Sequence, residues 1–364
     1  MSKAAALTTP LQVLRRWMAN RHLDATYVSR PVSIAYLTGF HAEPHERLMG
    51  LVVNREGATL VVPALEEQKA GAQAEGAEVA AWRDGEDPYE LVSRALRGLG
   101  EIGVEKEHLS LHAAEVITAR TGVSELVDAG AEIRRMRLLK SEEELEKLAR
   151  AAAITDAATD LVFSRLRVGQ TEVEAAFILS SLIGELGGAL SFPCLVQSGP
   201  NSALPHLEPS SRKLAAGDLV LLDFGAAFDG YKADTTRMAV VGEPSARQRE
   251  VHRVVVEAHD AAIAAVKPGI GAGEVDAAAR RVIDAAGYGE RFFHRVGHGL
   301  GLEGHEDPSL DPGSNTLLEP GMVFTIEPGV YIPGFGGVRV EDDLVVTEAG
   351  CRVLTKADRA LRVI

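Results

Sequence analysis

Five side chains of metal-ligating type lie in or at the ends of apolar runs: Asp223 in "LVLLDFG", Asp234 in "KADTTR", His298 in "GHGLG", Glu327 in "TIEPG" and Glu341 in "VRVEDD". A carboxylate among Val and Leu loses hydration, which costs several kcal/mol or forces it to take up a proton unless a partner neutralises it. Asp229-Gly230 signals a two-residue turn, because both positions of the favoured type need positive φ. With Phe228 and Tyr231 flanking that turn, Asp223 is expected opposite Thr236, and Asp234 is its diagonal neighbour, roughly 7 to 8 Å away on the same face. Two carboxylates so placed repel one another and can jointly hold a cation; pairing of Asp223 with Arg237 is the alternative. The pattern recurs in "GMVFTIEPGVY" (321–331) and "GGVRVEDDLVVTEAG" (336–350), which put Glu327 and Glu341 on a second hairpin. Between the hairpins, "FFHRVGHGLGLEGHEDP" (292–308) sets His294, His298 and His305 among glycines that permit close backbone approach.

Two motif matches fail on context. Gly299, Gly301 and Gly304 satisfy GxGxxG, but Glu-Asp-Pro follows where a dinucleotide-binding helix would begin. His298 and His305 stand seven residues apart, which is not the helical HExxH spacing of a zinc protease.

The elements that must carry these residues follow from periodicity. From Leu11 to about residue 138, strand-like runs ("ATYVS", "LMGLVVN", "ATLVVPAL", "EIGVE") alternate with helical stretches such as "PYELVSRALRGLG", which predicts an α/β unit. Ser141 as N-cap and Glu144 closing a capping box begin a long helix, so the domains are expected at 1–138 and 139–364. In the second, "VGQTEVEAAFILSSLIGELGG" (168–188) and "KPGIGAGEVDAAARRVIDAAG" (267–287) share Gly, then Glu-Val-acid-Ala-Ala, then an apolar helix ending in Gly. Two amphipathic helices with similar caps can look alike by chance; a duplicated α/β half would instead bring ligands from both halves to one site.

The chain has 364 residues, 46% of them hydrophobic, enough for two domain cores. Asp plus Glu outnumber Lys plus Arg by 52 to 38, for a net charge of −14, which argues against nucleic acid as a partner. Cys194 and Cys351 have no CxxC spacing and read as buried free thiols of a reducing compartment. The first residues show no apolar leader and no later segment has membrane-spanning length, so a cytoplasmic protein without a membrane partner is expected.

With these residues the chain resembles the pita-bread metallopeptidases, the family of methionine aminopeptidase, aminopeptidase P and prolidase. The resemblance implies an α+β fold: a C-terminal pita-bread domain with internal pseudo-twofold symmetry, behind an N-terminal creatinase-like α/β domain. It implies Asp223, Asp234, His298, Glu327 and Glu341 as ligands of two divalent ions. Asp234 and Glu341 bridge the ions, Asp223 completes one, and His298 with Glu327 completes the other. Four carboxylates and one imidazole form an oxygen-rich set that suits Mn²⁺, the preferred ion here, or Co²⁺ or Zn²⁺. The implied chemistry is attack on a Xaa-Pro peptide bond by a water that the ions activate. Glu327 is then the proton shuttle, and His206 ("SGPNSALPHLEP") and His305 contact substrate and intermediate. His294 is a further pocket residue, and Arg339 orients Glu341 or a substrate carboxylate. Gly304 departs from the family, which usually has an apolar residue before the second histidine.

An N-terminal domain argues against methionine aminopeptidase, and the full ligand set argues against creatinase. The loop "YLTGFHAEPHERLMG" (36–50) resembles the Asp-Pro-His-Glu-Arg loop of bacterial prolidases, with Glu43 in place of Asp. It implies a homodimer in which His45, Glu46 and Arg47 close the pocket over a dipeptide. Arg47, Arg295 or Arg339 would then take the dipeptide's carboxylate; a solvated charged turn is the alternative. The implied activity is Xaa-Pro dipeptidase, with aminopeptidase P on longer peptides as the other branch and a metal-free binding module as a third reading.

Overall fold

The computed structural model describes residues 9–364; the first eight, where the segment read as lacking a leader begins, lie outside them. The chain divides into two compact units, one ending at Arg137 and the other running from Leu138 to Ile364. No helix among the described residues is long and apolar enough to cross a membrane.

The first unit has strands β1 (Ala25–Val28), β2 (Gly50–Asn54), β3 (Ala58–Pro63), β4 (Glu78–Trp82), β5 (Glu101–Val104) and β6 (Glu125–Asp128) in one sheet, ordered β4-β3-β2-β1-β5-β6. Its helices are α1 (Pro10–Asn20), α2 (Pro31–Thr38), α3 (Glu67–Gln73), α4 (Tyr89–Leu96), α5 (Leu111–Thr121) and α6 (Gly130–Leu138). Central strands β2 and β3 read as near-continuous apolar runs because both sheet faces are covered there. Leu51, Val53, Leu60 and Val62 pack against α1, α2 and α6 through Leu14, Ile34 and Ile133. Val52 and Val61 meet Val92, Leu96 and Ile117 of α4 and α5 on the other face.

The second unit opens with α7 (Glu142–Arg165), whose Ser141 and Glu144 form a reciprocal capping box, and α8 (Glu172–Glu185). Strands β7 (Ala189–Leu190), β8 (Leu195–Ser198), β9 (Leu219–Phe224), β10 (Ala226–Phe228), β11 (Tyr231–Lys232) and β12 (Thr235–Val240) follow. A second helix pair, α9 (Ala246–Ala265) and α10 (Ala272–Ala285), precedes β13 (His298–Gly299), β14 (Glu306–Ser309), β15 (Val323–Ile326), β16 (Gly329–Ile332), β17 (Gly336–Arg339), β18 (Asp342–Thr347), β19 (Gly350–Val353) and β20 (Arg362–Val363).

The repeat is structural, but in a different alignment from the shared Glu-Val-acid-Ala-Ala text. Gly169 and Gly269 turn with positive φ before α8 and α10, and the bridges Thr171↔Lys213 and Gly271↔Leu317 sit at equivalent places. Ala272, not Glu274, therefore stands where Glu172 stands. Each half has its own core, one around Leu179, Val196 and Leu222, the other around Val275, Phe324 and Leu344. Cys194 is buried and Cys351 only half-buried, a correction to the expectation for the latter; both are free thiols.

The first hairpin has the expected register: Phe228↔Tyr231 closes the turn at Asp229 (φ 48°) and Gly230 (φ 82°), and Asp223 pairs with Thr236. Strand alternation then sends Arg237 to the opposite face from Asp223, where it meets Asp342 at 2.6 Å. The second hairpin is two ladders, Ile326↔Asp342 at one end and Gly329↔Arg339 at the other. Pro328 has no N–H to give, so only a 3.5 Å bond from Val340 N to Pro328 O joins the strands between the ladders; Glu327 and Glu341 lie there, their own N–H groups turned to Val296 O and Thr236 O. The GxGxxG text starts at the end of β13 and runs through the loop before β14, with no helix there.

Candidate metal centre

The two hairpins meet where Thr236 bridges Glu341. Glu341 N donates to Thr236 O at 3.3 Å, and Thr236 Oγ1 donates to Glu341 Oε2 at 2.6 Å. This junction brings one acid pair to the other. Ligand atoms of Asp234, His298 and Glu341 all lie within 4.8 Å of one another, and all three side chains are buried. His298 Nε2 is 3.3 Å from Glu327 Oε1 and 3.9 Å from Asp234 Oδ2. His298 Nδ1 faces Gly299 O at 3.2 Å, so it carries the proton and leaves Nε2 with a lone pair toward the carboxylates. Asp234 is oriented from behind, its backbone N donating to Asp343 Oδ2 at 3.0 Å.

Asp223 completes the group with a partner the sequence did not identify. Arg339 Nη2 donates to Asp223 Oδ2 at 2.5 Å, Nε to Thr236 Oγ1 at 2.9 Å and Nη1 to Tyr331 OH at 3.0 Å. Arg339 was expected to orient Glu341 or to meet a substrate carboxylate. Its three nitrogens are engaged, and it reaches Glu341 only through Thr236. Tyr331 was missed altogether; its hydroxyl donates to His294 Nε2 at 3.0 Å, while His294 Nδ1 donates to Arg295 O at 2.7 Å.

These side chains line one cavity of about 1010 Å³. Asp223, Asp234, His298, Glu327, Glu341, His206, His294, His305, Arg295 and Arg339 all face it, and Phe192, Leu195, Leu204 and Phe293 supply apolar wall. His305 stacks edge-on against His298 with centroids 3.9 Å apart. Arg295 Nη1 donates to Ser309 Oγ at 2.6 Å. His45 and Arg47 belong to the first unit and are not among the lining residues. Arg47 forms a two-pronged bond to Asp84, at 3.0 and 2.9 Å, and a further contact with Glu46.

The donor set fits divalent ions. Asp223 Oδ1 and Asp234 Oδ1 are buried and make no hydrogen bond. Burial, then Glu341 and Asp223, pushes Asp234 well above the usual carboxylate range, and burial with Glu327 does the same to Glu341. Burial, then His305, holds His298 well below an ordinary imidazole, the neutral form a cation needs. Burial lifts Glu327 to about 7 against the opposing pull of Arg339.

A pH dependence follows. Without metal, folded Glu327 keeps a proton that the unfolded chain releases near pH 4.5, so stability falls as pH rises from there through about 7. The loss from this group is on the order of 3 kcal/mol by pH 8. Ions bound by the ionised carboxylates restore it. Added Mn²⁺ therefore raises the Tm of metal-free protein more at pH 8 than at pH 5.5; an equal rise in calorimetry at both pH values would contradict this electrostatic account.

Comparison with known proteins agrees with this geometry. Residues 146–348 match the family model described as metallopeptidase family M24, and residues 10–139 match the creatinase/prolidase N-terminal domain. A Xaa-Pro dipeptidase of Lactobacillus helveticus is 40% identical over 362 residues, 97% of this chain and 98% of its own. The crystal structure of the prolidase from Pyrococcus horikoshii OT3 superposes with a TM-score of 0.90 at 36% identity, covering 96% of this chain and 99% of that one. An X-Pro aminopeptidase from Thermotoga maritima MSB8 gives 0.91 at 31% identity, covering 98% and 100%.

Proposed function

Since this chain belongs to metallopeptidase family M24, we propose that it hydrolyses Xaa-Pro dipeptides with two divalent ions held by Asp223, Asp234, His298, Glu327 and Glu341. The observation that carries this reading is the convergence on one cavity of four carboxylates from two hairpins and of His298 from β13 between them. The full-length similarity to a dipeptidase sets the substrate class. Bound there, the ions would lower the pKa of a water and polarise the scissile carbonyl. Glu327, beside His298, is proposed to take the proton of that water and return it to the leaving proline nitrogen. His206 and His305 are proposed to hydrogen-bond the substrate and the developing oxyanion. Phe192, Leu195, Leu204 and Phe293 offer the apolar wall that a proline ring and the Xaa side chain need.

Of the cavity's two arginines, Arg339 is committed to Asp223, Thr236 and Tyr331, so Arg295 is preferred for the dipeptide's carboxylate. Arg47 would first have to leave Asp84. A homodimer with the His45–Arg47 loop closing the partner's cavity remains part of the proposal, as does Mn²⁺ over Co²⁺ or Zn²⁺. The two free thiols support a cytoplasmic setting. The test is hydrolysis of Ala-Pro against Ala-Pro-Ala by metal-free protein given Mn²⁺, Co²⁺ or Zn²⁺ in turn. Ala-Pro is expected to be cleaved faster, with Mn²⁺ the most effective ion. Faster tripeptide cleavage would assign the chain to the aminopeptidase branch instead.

A further inference from the structure

His206 is exposed at the cavity on a segment outside any strand, and no hydrogen bond from its ring to another described residue fixes it. Its position therefore depends on the backbone of residues 199–210, and two buried side chains hold that backbone. Gln197, fully buried on β8, donates through Nε2 to Pro205 O at 3.2 Å and Leu207 O at 2.9 Å, the peptide carbonyls on either side of His206. Glu172, fully buried at the first position of α8, ties the two ends of the segment together. Its Oε1 accepts from Ser198 N at 2.7 Å and Ser198 Oγ at 2.8 Å; its Oε2 accepts from Ser210 N at 3.0 Å and Ser210 Oγ at 2.6 Å. Asn201 Nδ2 reaches both oxygens at 3.1 Å. Between these anchors, Gly337 N donates to Ser202 Oγ at 2.8 Å. The approach is close enough that a Cβ at Gly337 would lie 1.9 Å from Ser202 O.

The other half pins its own cavity histidine in a comparable way. Asp276 of α10 accepts from Val296 N at 2.9 Å and holds Arg280 at 2.6 Å, and Arg280 donates to Phe292 O and His294 O at 2.8 and 2.5 Å. Such bonds cost ordering entropy at folding, so that it is not lost again when substrate binds.

We propose that Gln197 and Glu172 are positioning residues for His206, fixing the loop that presents its ring before a peptide arrives. The proposal rests on the role assigned to His206 above. It is tested with Gln197→Met and Glu172→Gln, each alone and combined with His206→Ala, by measuring kcat and KM on Ala-Pro, metal content, and hydrogen exchange of residues 199–210. Each single variant is expected to lower kcat/KM about 10-fold, to speed exchange in that segment and to leave metal content at the wild-type value. In the His206→Ala background the same substitutions are expected to cost less than about 2-fold, because non-additivity marks a shared function. Equal factors in both backgrounds, or unchanged exchange, would overturn the proposal. If Glu172→Gln does not fold, Asn201→Ala with Ser210→Ala removes the loop's own donors and takes its place. Should the wild-type chain leave Ala-Pro intact, the hydrolysis reading fails on its own. Exchange at 199–210 then decides the positioning claim, acceleration supporting it and no change refuting it.

Discussion

Asp234→Asn is expected to lower kcat/KM for Ala-Pro by about 10³-fold or more, because several kcal/mol of transition-state stabilisation depend on the ion pair. The same substitution should raise the Tm of the metal-free protein. Asp234 is the acid most crowded by others: burial and then Glu341, Asp223, Asp343 and Glu327 all push its pKa upward. A neutral amide of the same shape removes that repulsion and keeps the bond from the backbone N at this position to Asp343, while giving up the charge that the proposed ligand role needs. Function and stability thus move in opposite directions, as expected where a site stores unfavourable electrostatics for its ligand. Metal analysis should show at least one ion lost per chain, and calorimetry should show Tm higher without Mn²⁺ and nearly unresponsive to it. An Asp234→Asn variant that keeps both ions and full activity would remove Asp234 from the centre.

Local rules carried the sequence reading of this site further than propensity did. The register of the first hairpin was legible because Asp229-Gly230 accepts positive φ at both positions, after which period-2 alternation places Asp223, Thr236 and Arg237 without freedom. Glu327 was legible because it ends the apolar run that forms β15. Strands β4 and β6 were not legible: "EVAAW" and "ELVD" are short and weakly patterned, and they become strands by pairing with stronger neighbours. The repeat was seen but misaligned, since helix N-termini favour similar acidic text whatever their register, whereas the turn glycines and bridges fix the true correspondence. Arg339 stands two residues before Glu341, which suggests a local partner. Its actual partner, Asp223, is distant in sequence and is brought near by the junction of the hairpins. Tyr331 and Gln197 escaped notice for the same reason, since their hydrogen bonds are non-local and no spacing announces them.

Arg339→Met is expected to carry a large stability effect. Arg339 and Asp223 are both buried, and removing one partner of a buried pair leaves an uncompensated charge, at a cost of about 3–5 kcal/mol. The deficit depends on pH with a definite sign. Burial already raises Asp223 despite Arg339, whose charge is the largest opposing influence, so the variant's carboxyl rises further. A group with a raised folded pKa costs nothing while both states hold the proton and destabilises as pH climbs through that pKa. The gap in Tm between wild type and variant should therefore be small near pH 4 and widen toward pH 8 in metal-free protein. Saturating Mn²⁺ should narrow it again, because a cation beside Asp223 takes over part of the guanidinium's role. Catalysis suffers separately: Asp223 and Thr236 lose the donor that aims them, and support of this kind behind metal ligands is worth about 10–100-fold in affinity or activity. Chemical denaturation across pH, with and without Mn²⁺, distinguishes this account from simple loss of packing, which would give a gap independent of both.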